Sequence, residues 1–129
     1  MFNNIKITGG CACSKVKYEL SGETTGVINC HCKFCQRSHG NYCPMLITDK
    51  ANFTITKGED NLTVYKSSDS APYEGIFCSN CGSQLFKRQL EGSRVVVIVG
   101  SLDNTDGLRP TKNIYAGFAG DYYSMPEVK

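Results

Sequence analysis

Phe77-Cys78-Ser79-Asn80-Cys81-Gly82-Ser83-Gln84-Leu85-Phe86 sets two thiols three residues apart on a turn that continues through glycine. Such a C-x-x-C turn lets both sulfurs address one cation while backbone N–H groups fold back towards them. Zinc takes four such soft ligands in a tetrahedron, each at about 2.3 Å. Two further sulfurs are required, and Gly9-Gly10-Cys11-Ala12-Cys13 offers them as C-x-C. Cys11 and Cys13 with Cys78 and Cys81 thus make one closed, structural zinc site, which ties the N-terminal loop to the middle of the chain across about 65 residues. Gly10 and Gly82 stand where a ligand loop needs unusual backbone angles. Four thiolates around Zn2+ leave a net charge of about −2. N–H donors and nearby cations, Lys15 among them, are expected to soften it, and loss of the metal is expected to unfold the protein.

The rest of the composition agrees with thiols kept for metal. Residues 1–129 have the length of one compact domain, with the motifs spread over about 9–123. The formal charge of +2 comes from 14 basic and 12 acidic residues scattered along the chain, with no polybasic run to neutralise several phosphates together. Nucleic acid is therefore not an expected partner. Met1 to Gly10 has neither the basic nor the apolar region of a secretory signal, and no stretch reaches membrane-spanning length. A soluble, cytoplasmic protein without a membrane partner is expected. In that compartment the eight cysteines stay reduced, and their clustering needs a reason other than cross-linking.

Between the cysteines the pattern is mostly β. KVKYEL (15–20), NFTI (52–55) and LTVYK (62–66) alternate apolar and polar residues, as half-buried strands do. CPMLI (43–47), GIFC (75–78) and RVVVIVG (94–100) are continuously apolar, as expected of strands covered on both sides. The turns fall at Gly9-Gly10, Ser21-Gly22, Lys57-Gly58, Glu91-Gly92 and the stretch SSDSAPYEG. One short helix is placed after Cys32, ending at Gly40, and the tail DYYSMPEVK is expected to fray.

The middle cluster, Cys30, Cys32 and Cys35, fills three corners of a tetrahedron and leaves one open. Open zinc sites are the catalytic kind, able to hold water or a thiol and lower its pKa. The competing reading is a second structural zinc, completed by His31, His39 or Cys43; for the first four cysteines it is a pair of disulfides, or iron in place of zinc. His31, between two ligands, is expected to turn away from their metal and serve beside the site or at the surface. Cys43 opens an apolar run and reads as a buried thiol. Lys33, Arg37, Lys87 and Arg88 flank the clusters and suit either a substrate carboxylate or plain solvation. Tyr115, Tyr122 and Tyr123 suit a pocket wall or simple packing.

GGCAC followed by KVKYEL, then CHCKFCQRSHG, FCSNCGSQLF and VGSLD with RP and an aromatic segment after it, resembles the glutathione-dependent formaldehyde-activating enzyme (GFA, or CENP-V/GFA domain) family. The resemblance implies the all-β Mss4-like (β-tent) fold. It implies two zinc ions per chain: a structural one on Cys11, Cys13, Cys78 and Cys81, and a catalytic one on Cys30, Cys32 and Cys35. It also implies a carbon–sulfur lyase that condenses glutathione, or a similar small thiol, with formaldehyde. Asn113 stands where members commonly carry a histidine, and the chain has no tryptophan where members often have one near the C-terminus. A protein-binding module on the same zinc-stapled scaffold is the other reading; fold alone does not choose between them.

Overall fold

The computed structural model describes residues 6–128. Its strands form two sheets. The smaller has the order β1 (Ile7–Gly10), β2 (Lys17–Leu20), β5 (Phe53–Lys57), all antiparallel. The larger sheet has seven strands: β10 (Pro110–Ile114), β3 (Val27–Cys30), β4 (Cys43–Asp49), β9 (Arg94–Ile98), β8 (Gln84–Gln89), β7 (Tyr73–Cys78) and β6 (Leu62–Tyr65), in that spatial order. Within it β10 runs parallel to β3 and the other pairs are antiparallel. A helix of two turns, α1 (Lys33–His39), follows β3 and ends at Gly40.

Alternation along the strands divides the interior in two. Leu46, Val95, Val97, Ile76 and Phe86 face the smaller sheet and pack with Val16, Tyr18 and Leu20. Met45, Val96 and Ile98 point the other way, into a second cluster with Cys30, Cys35 and Cys43. This explains the unbroken apolar run of β9: Val95, Val96, Val97 and Ile98 are all buried because each face of the strand has its own core. Strands β4 and β9 lie side by side through Met45↔Ile98, Leu46↔Val97 and Ile47↔Val96, so the longest apolar runs occupy the centre of the larger sheet.

The two sheets are also tied by polar contacts. Gly9 forms a bridge with Leu102, the Asp103 N–H donates to the Thr8 carbonyl at 2.9 Å, and the Thr8 hydroxyl donates to the Asp103 carboxylate at 2.7 Å. The VGSLD stretch is therefore a latch from the large sheet to β1.

The alternating and apolar stretches form β2, β5, β6, β4, β7 and β9, as expected from the sequence. Four strands, β1, β3, β8 and β10, carry no such signal: β1 and β10 are rich in glycine or polar residues, and β3 and β8 break their alternation near the cysteine turns. The tail does not fray as expected. Its Tyr123 hydroxyl lies 2.8 Å from His31 Nδ1, and the Pro126 carbonyl accepts from Asn113 Nδ2 at 2.9 Å.

Leu46 is fully buried at the centre of the larger sheet. Leu46→Ala leaves a cavity there and is expected to lower the unfolding free energy by about 2–5 kcal/mol in urea denaturation.

Candidate metal centres

The sulfurs of Cys11, Cys13, Cys78 and Cys81 lie within 4.8 Å of one another, and those of Cys30, Cys32 and Cys35 do the same. Both groups expected from spacing are therefore brought together. All eight cysteines are free of disulfides.

The first group joins the two sheets. Cys11 and Cys13 follow β1, while Cys78 ends β7 and Cys81 sits in the turn to β8. The Sγ atoms of Cys11 and Cys13 are 3.6 Å apart and those of Cys13 and Cys78 3.8 Å. A zinc tetrahedron with bonds of about 2.3 Å needs sulfurs about 3.8 Å apart, so these residues fit the ion. Neutral donors surround the sulfurs. The Val16 N–H reaches Cys11 Sγ at 3.2 Å, Asn61 Nδ2 reaches Cys78 Sγ at 3.3 Å, and the Cys81 N–H reaches Cys78 Sγ at 3.5 Å. Such bonds suit thiolates. Lys15, the cation expected to help, is exposed.

Both glycines beside this group have a physical reason. Gly82 adopts φ +79°, the left-handed region, so the knuckle can turn between Cys81 and Ser83. Gly10 does not have a positive φ; a Cβ there would fall 2.5 Å from the Val16 carbonyl oxygen, which closes the opposite knuckle by accepting from the Cys11 N–H. A second clamp links the two knuckles, because the Ala12 N–H donates to Ser83 Oγ at 3.0 Å.

The second group lies on the other face of the larger sheet. Cys30 ends β3, Cys32 caps α1 and Cys35 sits in its first turn. Cys32 Sγ accepts the Cys35 N–H at 3.3 Å, taking the place that a Ser or Asp oxygen fills at an ordinary N-cap. Cys30 and Cys35 are buried, whereas Cys32 is partly exposed. Hydrogen bonding with Cys35, then burial, push the Cys30 thiol well above its usual range. At Cys35 the bond with Cys30 acts downwards, but the bond with Cys43 and burial outweigh it and raise the thiol to about 12.

None of the three residues named as a fourth ligand joins this group among the described residues. His31 is fully buried and both ring nitrogens are engaged: Nδ1 accepts from the Tyr123 hydroxyl at 2.8 Å and Nε2 donates to Asn113 Oδ1 at 3.1 Å. It turns away from the sulfurs, as expected, but into the interior and not to the surface. Cys43 is the register partner of Cys30, fully buried, with its thiol in hydrogen-bonding reach of Cys35. His39 lies at the end of α1, with a buried Nε2 that has no hydrogen-bond partner.

The network around His31 was not legible from the sequence. Asn113 Oδ1 also accepts from Asn29 Nδ2 at 3.2 Å, and His31 stacks on Tyr123 with ring centroids 5.6 Å apart and lies against Tyr42. Parallel pairing of β10 with β3 puts Ile114 opposite Cys30, and the His31 N–H donates to the Ile114 carbonyl at 3.0 Å. Residues 82 and 92 positions away from His31 thus hold the backbone between the first two sulfurs. Asn113 serves here as a hydrogen-bonding bracket. Of the flanking cations, Lys33 and Arg37 are exposed and Arg88 is paired with Glu74 at 2.6 Å. Lys87 sits 5.4 Å from the Phe34 ring centroid.

A crystal structure of a Rhodobacter sphaeroides protein is similar to this chain with a TM-score of 0.62 at 23% sequence identity, over 78% of this chain and 91% of that one. That likeness concerns the fold. The family profile described as glutathione-dependent formaldehyde-activating enzyme matches residues 6–117.

Two outcomes follow from this geometry. Protons compete with a metal for the sulfurs. Cys30 and Cys35 hold their protons more firmly than ordinary thiols; in the four-cysteine group burial raises the Cys78 thiol, while bonds from the Ser83 side chain and backbone draw Cys81 down to about 5. On acid titration of the zinc-loaded protein, the three-cysteine group is expected to release its ion at a higher pH than the four-cysteine group. A colorimetric chelator reads the two steps, and Cys81→Ser assigns them. Tyr123→Phe removes a partner from a fully buried ring nitrogen and should lower stability by about 1–3 kcal/mol in urea denaturation.

Proposed function

The chain belongs to the glutathione-dependent formaldehyde-activating enzyme family, and on that premise we propose that it is a zinc-dependent carbon–sulfur lyase. It would condense a small thiol, glutathione or a similar one, with formaldehyde or a related aldehyde. The observation that carries this reading is the group of three sulfurs, Cys30, Cys32 and Cys35, with no fourth protein ligand among the described residues. A zinc ion on these three would supply an open coordination position that lowers the pKa of an incoming thiol. The four-cysteine group would hold a second zinc with a purely structural role.

The chain's own residues support this division. In the three-cysteine group, two sulfurs are shielded from water and the third, on Cys32, is partly exposed. His31, held by Tyr123 and Asn113, anchors the loop between Cys30 and Cys32, which would help those sulfurs hold a metal in one geometry. Such support is what separates a positioned site from a merely assembled one. In the reaction the thiol loses its proton, sulfur bonds to the aldehyde carbon, the C=O π pair moves to oxygen, and that oxygen takes up a proton. Nothing is oxidised or reduced.

The same reading takes residues 1–129 as one domain that works in the cytoplasm. No helix among the described residues is long and apolar enough to cross a membrane, and the free thiols fit a reducing compartment.

Exchange NMR of formaldehyde with glutathione and with other small thiols, run with and without the zinc-loaded protein, tests the activity. Faster exchange is expected with at least one thiol, and no acceleration with any of them would overturn the proposal. Cys32→Ser is expected to abolish the acceleration while moving the urea midpoint little, and Cys81→Ser to lower the midpoint sharply. Equal destabilisation by both, without catalysis in the parent protein, is what a protein-binding module would give.

A further inference from the structure

A cleft of about 230 Å³ opens between α1 and the β7–β8 hairpin, on the same sheet face as the three sulfurs. Phe34, Tyr73 and Phe77 make its apolar wall, and Gln84, His39 and Lys87 bring polar groups to it. It adjoins the three-cysteine group in two ways. Phe34 immediately precedes Cys35 on α1, and Tyr73 packs against the cluster that contains Cys30 and Cys35.

Two of its polar groups have no polar partner among the described residues. Lys87 is the only cation in the lining, and among the described residues it forms no ion pair. His39 Nε2 is buried without a hydrogen-bond partner in the same lining. A buried polar atom of this kind is uncommon in a folded protein and calls for a partner. Burial first, and then the Lys87 charge, push the His39 imidazole down to about 4, so it is neutral at physiological pH and has one N–H to give. An ammonium and a neutral N–H on one wall suit a single carboxylate.

The lining contains no acidic residue. Glutathione carries two carboxylates and an ammonium, and its ammonium would find no counter-charge here. The volume also lies below the roughly 300–1,000 Å³ of pockets that enclose drug-sized ligands.

We propose that this cleft is the substrate subsite of the three-cysteine group, and that it takes a compact thiol bearing one carboxylate and an apolar body in preference to glutathione. Lys87 and His39 meet the carboxylate, and Phe34, Tyr73 and Phe77 cover the apolar part. The thiol end rests on the proposed lyase reading; the carboxylate end does not.

The experiment therefore uses probes without sulfur. 3-Phenylpropanoate and 3-phenylpropanamide are titrated separately into the zinc-loaded, 15N-labelled protein, followed by backbone amide shifts. The carboxylate is expected to shift Gly75, Phe77 and Lys87 and to bind at least about tenfold more tightly than the amide. Lys87→Met, which keeps the stem over Phe34, should remove that preference and leave amide binding unchanged. Phe34→Ala should weaken both probes, and 2-sulfanyl-3-phenylpropanoate should compete with 3-phenylpropanoate at lower concentration than glutathione does. Equal binding of the carboxylate and the amide, shifts confined to other parts of the chain, or stronger competition by glutathione would each overturn the proposal. Absence of lyase activity with intact carboxylate selectivity would refute the lyase reading alone; exchange catalysis with no probe binding would refute the cleft alone.

Discussion

Four sulfurs within 4.8 Å of one another, two from the end of β1 and two from the β7–β8 turn, set the relation between the two sheets. A three-stranded sheet has one small face to bury, and on its own it would be marginal in water. Holding Cys11 and Cys13 against Cys78 and Cys81 presses Val16, Tyr18 and Leu20 onto Leu46, Val97, Ile76 and Phe86. The bridge from Gly9 to Leu102 and the Thr8–Asp103 hydrogen bond add to the attachment along β1, an edge strand of the small sheet.

With one face of the larger sheet occupied in this way, the other is left for the three-cysteine group. Strict alternation along β4 and β9 sends Leu46, Val95 and Val97 to the structural side and Met45, Val96 and Ile98 to the side that carries Cys30, Cys35 and Cys43. The two cysteine groups thus lie on opposite faces of one sheet and meet different surroundings. The first sits among N–H and hydroxyl donors, which favour thiolates whatever the loop does. The second is built into a helix cap and a strand end, with fewer donors.

The strand interiors and the sulfurs were readable because their signals are local. Two-residue alternation in KYEL and FTITK, and unbroken apolar runs in β4 and β9, report burial on one or both faces of a strand. C-x-C and C-x-x-C report ligand pairs, since two sulfurs that close in sequence can hardly avoid one another. The parallel strand β10 was not readable. PTKNI is polar and its partner Val27–Cys30 lies more than 80 residues away, so its pairing depends on the course of the whole chain. The tail failed for the same reason: Tyr122 is exposed, as a fraying segment would be, yet its neighbour Tyr123 finishes a hydrogen-bond network around His31.

What the sequence determined by itself is the inventory: a mostly β chain, seven sulfurs in two groups that could each hold a metal, and the family to which the chain belongs. Tertiary structure alone decided that His31 is a buried bracket with no nitrogen to spare, that Cys43 touches the three-cysteine group without joining it, and that Lys87 and His39 share one cleft. Ligand spacing is a property of a few consecutive residues. Whether a side chain is engaged or left free depends on strands that approach from far along the chain, and no local pattern encodes that approach.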